Sequence, residues 1–374
     1  MIYLDSAATT LQKPKSVSAA MLSALRTMAS PGRGGHLPAQ RAAQTAYACR
    51  EAACALFGMD DSEQVVFTFN ATHALNLAIR SLVKPGDTVL ISGYEHNAVS
   101  RTLYAMPNVT VKVAHAPLFC PEETAGRFEE LLTDEVAVVV CTHVSNVFGY
   151  ILPIEDIARL CRERGVKLIV DAAQSAGCLP VSMERWGAAF VAMPGHKGLY
   201  GPQGTGLLLC ANRVEPLMMG GTGSESRLQQ MPDFLPDRLE AGTHNIPGIA
   251  GLLAGLRFVE RVGVERIGSH ETDLVDRMAE GLEEIKGVRV FAQNPGAGCQ
   301  SGVLSFCVDG MDCEEVGQRL SGAGIAVRCG LHCAPLAHKS AGTLECGTVR
   351  ASVSAFNTRQ EIRAFIRAVA ALKK

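Results

Sequence analysis

Lys197 lies in the stretch "AMPGHKGLYGPQGTG", between a histidine and a series of closely spaced glycines. A surface lysine needs no such loop, whereas a lysine that bonds covalently to a cofactor must be held in place. Asp171 precedes Lys197 by 26 residues and ends the apolar run "LIVD". A buried carboxylate is costly unless a cation or hydrogen-bond donors lie nearby. If the strands before these two residues are neighbours, both side chains reach one crevice; alternatively, Asp171 only forms an Asx turn or caps a helix.

Three further loops place polar residues after predicted strands. "FTFNATHALNLAI" puts Asn70, Ala71 and Thr72 at a helix start, where free N–H groups and a hydroxyl form an anion site. The alternative is that Asn70 or Thr72 only caps the helix. "SGYEHNAVS" carries His96 and "VSNVFG" carries Asn146. Taken alone, a histidine of this kind is more often a satisfied polar group than a catalyst, and Asn146 is more often a turn residue.

Together these side chains match what pyridoxal 5'-phosphate (PLP) requires. Its aldehyde needs a lysine for a Schiff base, and a carboxylate beside its ring nitrogen keeps that nitrogen protonated. Its phosphate needs N–H donors, and its ring needs a flat cover. We therefore predict a PLP enzyme.

The region from about residue 65 to 210 must position these loops. Short β-rich runs such as "QVVFTF", "DTVLIS", "EVAVVVCTHV" and "VKLIVDAA" alternate there with helical patterns. This alternation, with strands apolar throughout, predicts a mostly parallel sheet covered by helices on both faces. Ligands of such sheets bind beyond the carboxyl ends of the strands, where the loops above lie.

The pattern changes after "HNIPGIAG". One long helical stretch is predicted from about 248 to 285, followed by short strands and a last helix. The apolar stripe of that helix is Ile362, Phe365, Ile366, Val369 and Leu372. We predict a large domain of residues 16–250 and a smaller α+β domain formed by residues 1–15 and 251–374.

Composition and charge argue against several classes of function. The 374 residues carry a formal net charge of -2, which argues against a nucleic-acid partner. The sequence has no apolar run of the roughly 18 residues that a membrane span needs, and "MIYLDSAATT" does not resemble a secretory leader. The thirteen cysteines are scattered, without a CxxC pair, which favours a reducing cytoplasm and no metal site.

The motifs "EHNA", "SNVFG", "VDAAQ", "GHKGLYGPQGTG", "RLEAGTHN", "RCGLHCA" and "RASVSAFNT" make a family resemblance visible. The chain resembles the class V aminotransferases among fold-type I PLP enzymes, from "LDSAATT" at residue 4 to "AFNT" at 355. Within them it is similar to the cysteine desulfurase and selenocysteine lyase family, in its SufS-like, or type II, branch. The resemblance implies an α/β fold with a smaller C-terminal domain, a homodimer and an amino-acid substrate.

The resemblance also implies a role for each matching residue. The expected cofactor contacts are Lys197 as the Schiff-base lysine, Asp171 at the pyridinium nitrogen, Gln174 at the phenolic oxygen, His96 against the ring, Ala71, Thr72 and His196 at the phosphate, and Thr243 from a partner subunit. Asn146, Arg350 and Arg328 are expected at the substrate. Cys333 is the expected nucleophile, and its sequence neighbours His332 and Arg328 are expected to favour the thiolate.

These residues imply conversion of L-cysteine to L-alanine, with sulfur held as a persulfide on Cys333 and passed to an acceptor protein. Some positions depart from the family pattern. Pro194 and Ala71 each remove a phosphate-binding hydroxyl, Leu331 replaces a histidine, and Cys329 lies close enough in sequence to pair with Cys333.

Other functions stay open at this point. One is a selenocysteine lyase, and another is a class V transaminase or β-lyase that does not use Cys333. A non-catalytic PLP-binding sulfur carrier is a third. An NAD-binding enzyme is discounted, because "GPQGTG" does not open a first βαβ unit.

Overall fold

The computed structural model describes residues 1–32, 34–211, 214–294 and 296–372. The strands are β1 (Ile2–Tyr3), β2 (Val65–Thr68), β3 (Thr88–Ser92), β4 (Thr110–Ala114), β5 (Val136–Thr142), β6 (Lys167–Asp171), β7 (Phe190–Pro194), β8 (Gly206–Cys210), β9 (Val288–Phe291), β10 (Val303–Val308), β11 (Ile325–Ala326), β12 (Arg328–Gly330) and β13 (Thr348–Ser352). The helices are α1 (Lys15–Thr27), α2 (Leu37–Phe57), α3 (Ala71–Leu82), α4 (Asn97–Tyr104), α5 (Pro121–Leu131), α6 (Ile154–Arg164), α7 (Met183–Trp186), α8 (Ile246–Val262), α9 (Val264–Glu283), α10 (Cys313–Gly322), α11 (Pro335–Ala341) and α12 (Arg359–Ala371).

The central sheet has the strand order β2-β8-β7-β6-β5-β3-β4 among the described residues. Strand β8 runs antiparallel to both neighbours and the other pairs are parallel, so the predicted mostly parallel sheet is confirmed. Successive side chains of a strand point to opposite faces. In β3, Leu90 packs into one core while Val89 and Ile91 pack into the other. Both faces are therefore buried, which explains why these strands are apolar throughout.

A second, antiparallel sheet has the order β12-β13-β10-β9. Its core joins Phe306 of β10 to Phe365 of α12 in an edge-to-face ring contact, with centroids 5.9 Å apart. Helix α12 begins with a capping box between Thr358 and Glu361, and its predicted apolar stripe faces this core. Strand β1 pairs with β11, so the first residues of the chain join this smaller α+β unit.

The helical stretch predicted from 248 to 285 is two helices, so the prediction of one stretch was wrong. It breaks at Gly263, whose φ of 92° belongs to the left-handed region that favours glycine. Leu252 and Leu256 of α8 pack into a core that covers one face of the central sheet, whereas α9 packs into the core of the antiparallel sheet. The predicted boundary at residue 250 falls inside α8, and the division into domains stays a prediction. Among the described helices, none has the length and apolar character needed to cross a membrane.

Candidate active site

Asp171 and Lys197 meet at the carboxyl edge of the central sheet. Asp171 ends β6, and Lys197 follows the last residue of β7 by three positions. Strands β6 and β7 are parallel neighbours, with Asp171 opposite Ala192. The adjacency that the sequence prediction required is confirmed, and both residues line one cavity of about 220 Å³.

The same cavity collects side chains from loops that are far apart in the sequence. Its lining includes the predicted residues Ala71, Thr72, His96, Asn146, Asp171, Gln174, His196 and Lys197. These residues follow β2, β3, β5, β6 and β7. Because parallel strands end at the same edge of a sheet, the fold alone brings them together.

The glycines around Lys197 have a steric reason. A Cβ on Gly198 would lie 2.4 Å from the carbonyl oxygen of Ala176, and one on Gly177 would lie 2.2 Å from that of Gly198. Both distances are far below van der Waals contact, so the loops that carry Asp171 and Lys197 approach backbone to backbone. Glycine is required for that approach, and it keeps Lys197 within reach of Asp171.

Burial sets the charge balance between Asp171 and Lys197. Asp171 is only 3% exposed, and its Oδ1 accepts a hydrogen bond from the Ala173 amide at 2.9 Å, so the Asx-turn interpretation also holds. Burial raises the pKa of Asp171, against the effect of that amide and of Lys197. Burial lowers the pKa of Lys197 to about 8, although Asp171 opposes the change. A lysine with that pKa is suited to both accept and donate a proton.

His96 starts α4 and faces the cavity. Its Nδ1 accepts a hydrogen bond from the Ala98 amide at 3.0 Å, which caps the helix. Burial lowers the pKa of His96 to about 4, and Lys197 and Arg350 add to the effect. The neutral ring is suited to stack on an aromatic cofactor without adding a second cation beside Lys197.

The start of α3 is the predicted anion site. Asn70 caps the helix, because its side chain accepts a hydrogen bond from the His73 amide at 2.9 Å. The amides of Ala71 and Thr72 precede the first intrahelical hydrogen bond, and both residues line the cavity. Capping and anion binding are therefore compatible here, since the positive end of the helix dipole lies at the cavity wall.

His196 and Gln174 are held by the N-terminal segment, which sequence reasoning assigned no role. His196 Nδ1 lies 3.1 Å from Thr9 Oγ1, and burial lowers the pKa of His196 to about 4. Gln174 Nε2 donates to the carbonyl oxygen of Ala7 at 3.1 Å. The only sequence signal for this segment was the "LDSAATT" motif.

Asn146 connects the cavity to the smaller unit. The side-chain Nδ2 of Asn146 donates to the backbone carbonyl oxygen of His332 at 2.8 Å. The backbone carbonyl oxygen of Asn146 accepts from Arg350, also at 2.8 Å. Asn146 Oδ1 and Arg350 Nε are buried and have no hydrogen-bond partner among the described residues. Because buried polar atoms are normally paired, these two suggest a missing polar ligand.

Asp5 joins the two predicted substrate arginines. Arg350 donates to Asp5 Oδ1 at 3.0 Å, and Arg328 donates to Asp5 Oδ2 at 2.9 Å. Sequence reasoning did not select Asp5, because its partners lie more than 300 positions away along the chain.

Cys333 lies on an exposed loop beside this cluster. Cys333 and His332 both have positive φ, 56° and 49°, so the loop turns sharply. The carbonyl oxygen of Cys333 accepts from the Asn97 amide at 2.7 Å, next to His96. The prediction that His332 favours the Cys333 thiolate was wrong. Burial lowers the pKa of His332 to about 2, so its ring supplies no positive charge to the thiol.

Thr243 and Cys329 do not line the cavity that contains Lys197. Thr243 is exposed and lines a separate cavity of about 70 Å³ with Phe69 and His73. Cys329 is half-buried against α10, where a Cβ on Gly317 would lie 2.3 Å from its Sγ. Burial raises the pKa of Cys329 to about 11, whereas Cys333 is exposed.

Residues 2–365 match the family model described as aminotransferase class-V, so this chain belongs to that family. It is 35% identical to a probable cysteine desulfurase of Methanothermobacter thermautotrophicus, over 97% of this chain and 92% of the relative. It is also 35% identical to a probable cysteine desulfurase of Mycolicibacterium paratuberculosis, of which it spans only 55%. The solved apo structure of cysteine desulfurase from Thermococcus onnurineus superposes with a TM-score of 0.89 at 32% identity, covering 99% of this chain and 94% of the other.

Proposed function

We propose that this protein is a PLP-dependent cysteine desulfurase, which converts L-cysteine to L-alanine and retains the sulfur as a persulfide on Cys333. One observation carries the proposal. A buried lysine and carboxylate share a cavity whose wall is hydrogen-bonded, through Asn97 and Asn146, to the loop of an exposed cysteine. The names of the similar proteins agree with this activity.

The residues of the cavity fit PLP. Lys197 would hold the aldehyde carbon, Asp171 the ring nitrogen and Gln174 the phenolic oxygen, with His96 against the ring. The amides of Ala71 and Thr72 and the His196 side chain would hold the phosphate. When bound, PLP supplies an electron sink for negative charge that develops at the substrate α-carbon.

The protein's own groups do the rest. Arg350 would hold the substrate carboxylate by donating from Nε, which has no partner among the described residues. Asn146 Oδ1 also lacks a partner there and can only accept, so it would receive a hydrogen bond from the substrate amino group. Lys197 Nζ takes the proton from the α-carbon and later returns it. Cys333 Sγ forms a bond to the substrate sulfur while the carbon–sulfur bond breaks, and the electron pair left on the β-carbon takes up a proton to give alanine.

Thr243 fits this site only from a second copy of the chain. It is exposed on a surface outside the cavity, so we propose a homodimer in which each Thr243 reaches the phosphate of its partner. We also propose a reducing, cytoplasmic setting, with which thirteen free cysteines agree. A separate acceptor protein for the persulfide sulfur is part of the same proposal.

The first test measures alanine release from L-cysteine with a reductant present, while the absorbance band of bound PLP is recorded. Cys333→Ala should lower alanine formation at least about 100-fold with the band unchanged, because it removes the thiol proposed to take the sulfur. Cys346→Ala is the matched control, since Cys346 is also exposed, and it should retain the parent activity. Full activity in Cys333→Ala, or pyruvate as the product, would overturn the assigned reaction.

A further inference from the structure

Asp5 holds two arginines at the edge of the substrate site. Arg350 is 2% exposed and donates to Oδ1 at 3.0 Å. Arg328 is half-exposed and uses two donors on the same carboxylate: Nε at 3.1 Å and one terminal nitrogen at 2.9 Å. Two donors in a fixed fork on one carboxylate define the direction of the guanidinium, so Asp5 determines where Arg328 points.

This cluster, Asp5 with Arg328 and Arg350, lies close enough to interact electrostatically with both Lys197 and Cys333. All three charges affect the pKa of Lys197, and the Cys333 thiol affects the pKa of Arg328. Two guanidiniums and one carboxylate carry a net charge of +1. That charge matches one carboxylate, which is what an amino acid with a neutral side chain presents to the arginines.

We propose that Asp5 is a positioning residue that sets the charge of the accepted substrate. It keeps Arg328 paired and turned towards the carboxylate, so that the site favours amino acids with a neutral β-substituent over those with a second anionic group there. The inference rests on the proposed function. Asp5 acts only through the two arginines. None of the three residues lines the cavity, but Arg350 donates to the backbone carbonyl oxygen of Asn146, which does.

The physical reason is charge balance beside a cluster in which Asp5 and Arg350 are buried. A second anion on the β-carbon would lie near Cys333, where Arg328 already gives Nε and one terminal nitrogen to Asp5. Without the Asp5 charge, Arg328 regains free donors and the net charge of the cluster becomes +2. Both changes favour a dianionic substrate over a monoanionic one.

A charge series tests this with L-cysteine and L-cysteine sulfinate, its analogue with an anionic β-substituent. Both yield alanine; the sulfinate takes up one water and releases hydrogen sulfite, so it needs no thiol acceptor. The variants are Asp5→Asn at +2, Arg328→Gln at 0, and the double variant at +1. Melting temperature and the bound PLP band show that each variant is folded and loaded.

We expect Asp5→Asn to raise the kcat/KM ratio of sulfinate to cysteine at least about tenfold. Arg328→Gln should lower the ratio, and the double variant should return it towards the parent value. Loss of both activities in equal proportion in Asp5→Asn would show a structural role only and overturn the inference. Since Arg328 is half-exposed, Arg328→Gln still decides the question if Asp5→Asn does not fold: a ratio unchanged from the parent overturns it.

A binding experiment separates the two proposals. Propionate and succinate, a monoanion and a dianion, are titrated into parent and variants by calorimetry. If the parent releases no alanine from L-cysteine, the desulfurase proposal fails, yet a tighter relative binding of succinate to Asp5→Asn still supports the charge role. Equal relative binding in parent and variant contradicts that role whatever reaction the enzyme performs.

Discussion

Lys197 shares its cavity with a buried carboxylate, and burial lowers the pKa of Lys197 from 10.5 to about 8. Only the neutral amine attacks an aldehyde, so the rate at which PLP-free protein rebinds PLP should rise with pH, with a midpoint near pH 8, and level off above it. Stopped-flow absorbance at a series of pH values measures this. Asp171→Asn removes the charge that raises the pKa of Lys197, so its midpoint should lie at lower pH. A parent midpoint near 10 would contradict the assigned environment.

Glu95 is fully buried between β3 and β5, although the mechanism does not use it. It accepts hydrogen bonds from the Thr142 amide at 2.8 Å and from the Ser92 hydroxyl, and burial raises its pKa to about 8. The folded state therefore keeps a proton that the unfolded carboxyl loses near pH 4.5. Stability from this group is complete below pH 4.5 and is lost as pH rises towards 8.

Glu95→Gln imitates the protonated carboxyl and does not titrate. Its melting temperature relative to the parent should therefore increase from pH 5 to pH 8, measured in matched thermal scans. Glu95→Ala serves as the control, because it removes the hydrogen bonds and should be less stable than the parent at pH 5. A difference between the Gln variant and the parent that is constant with pH would show that Glu95 ionises normally.

At the scale of elements, the start of α3 combines a cap with an anion site. Asn70→Ala removes the acceptor for the His73 amide and should cost about 1 kcal/mol of stability. Because the cap also orients the first turn, the affinity of PLP-free protein for PLP should fall severalfold. Thr358→Ala is the matched control, since Thr358 caps α12 in the smaller unit. Both variants should lose similar stability, and equal loss of PLP affinity in both would refute the anion site.

At the scale of the whole molecule, the position of Thr243 outside the cavity leads to a test in mixed dimers. Thr243→Ala and Lys197→Ala should each have low activity alone. In a mixed dimer, the subunit with intact Lys197 receives Thr243 from its Lys197→Ala partner, so one of the two sites is complete. Co-refolding the variants should restore up to about half of the parent activity per mixed dimer. Activity no higher than the average of the separate variants would show that Thr243 acts within one chain or not at all.

Much of this architecture was predictable because its signals are local. The parallel strands are buried on both faces and so appear in the sequence as apolar runs. The predicted apolar stripe from Ile362 to Leu372 faces the core of the antiparallel sheet. The break at Gly263 was missed because apolar periodicity continues across it, while only the backbone angle of one residue ends the helix. The order of the strands could not be predicted from the sequence, and that order is what makes Asp171 and Lys197 neighbours.

The sequence by itself determined the chemical groups: a lysine in a glycine-rich loop, an aspartate ending an apolar strand, a helix start with free amides and a cysteine in a turn. The tertiary structure alone decided how those groups are charged and paired, because charge depends on burial and on neighbours distant in the chain. It made His332 neutral, lowered the pKa of Lys197, and brought Asp5, near the start of the chain, to two arginines more than 300 positions away.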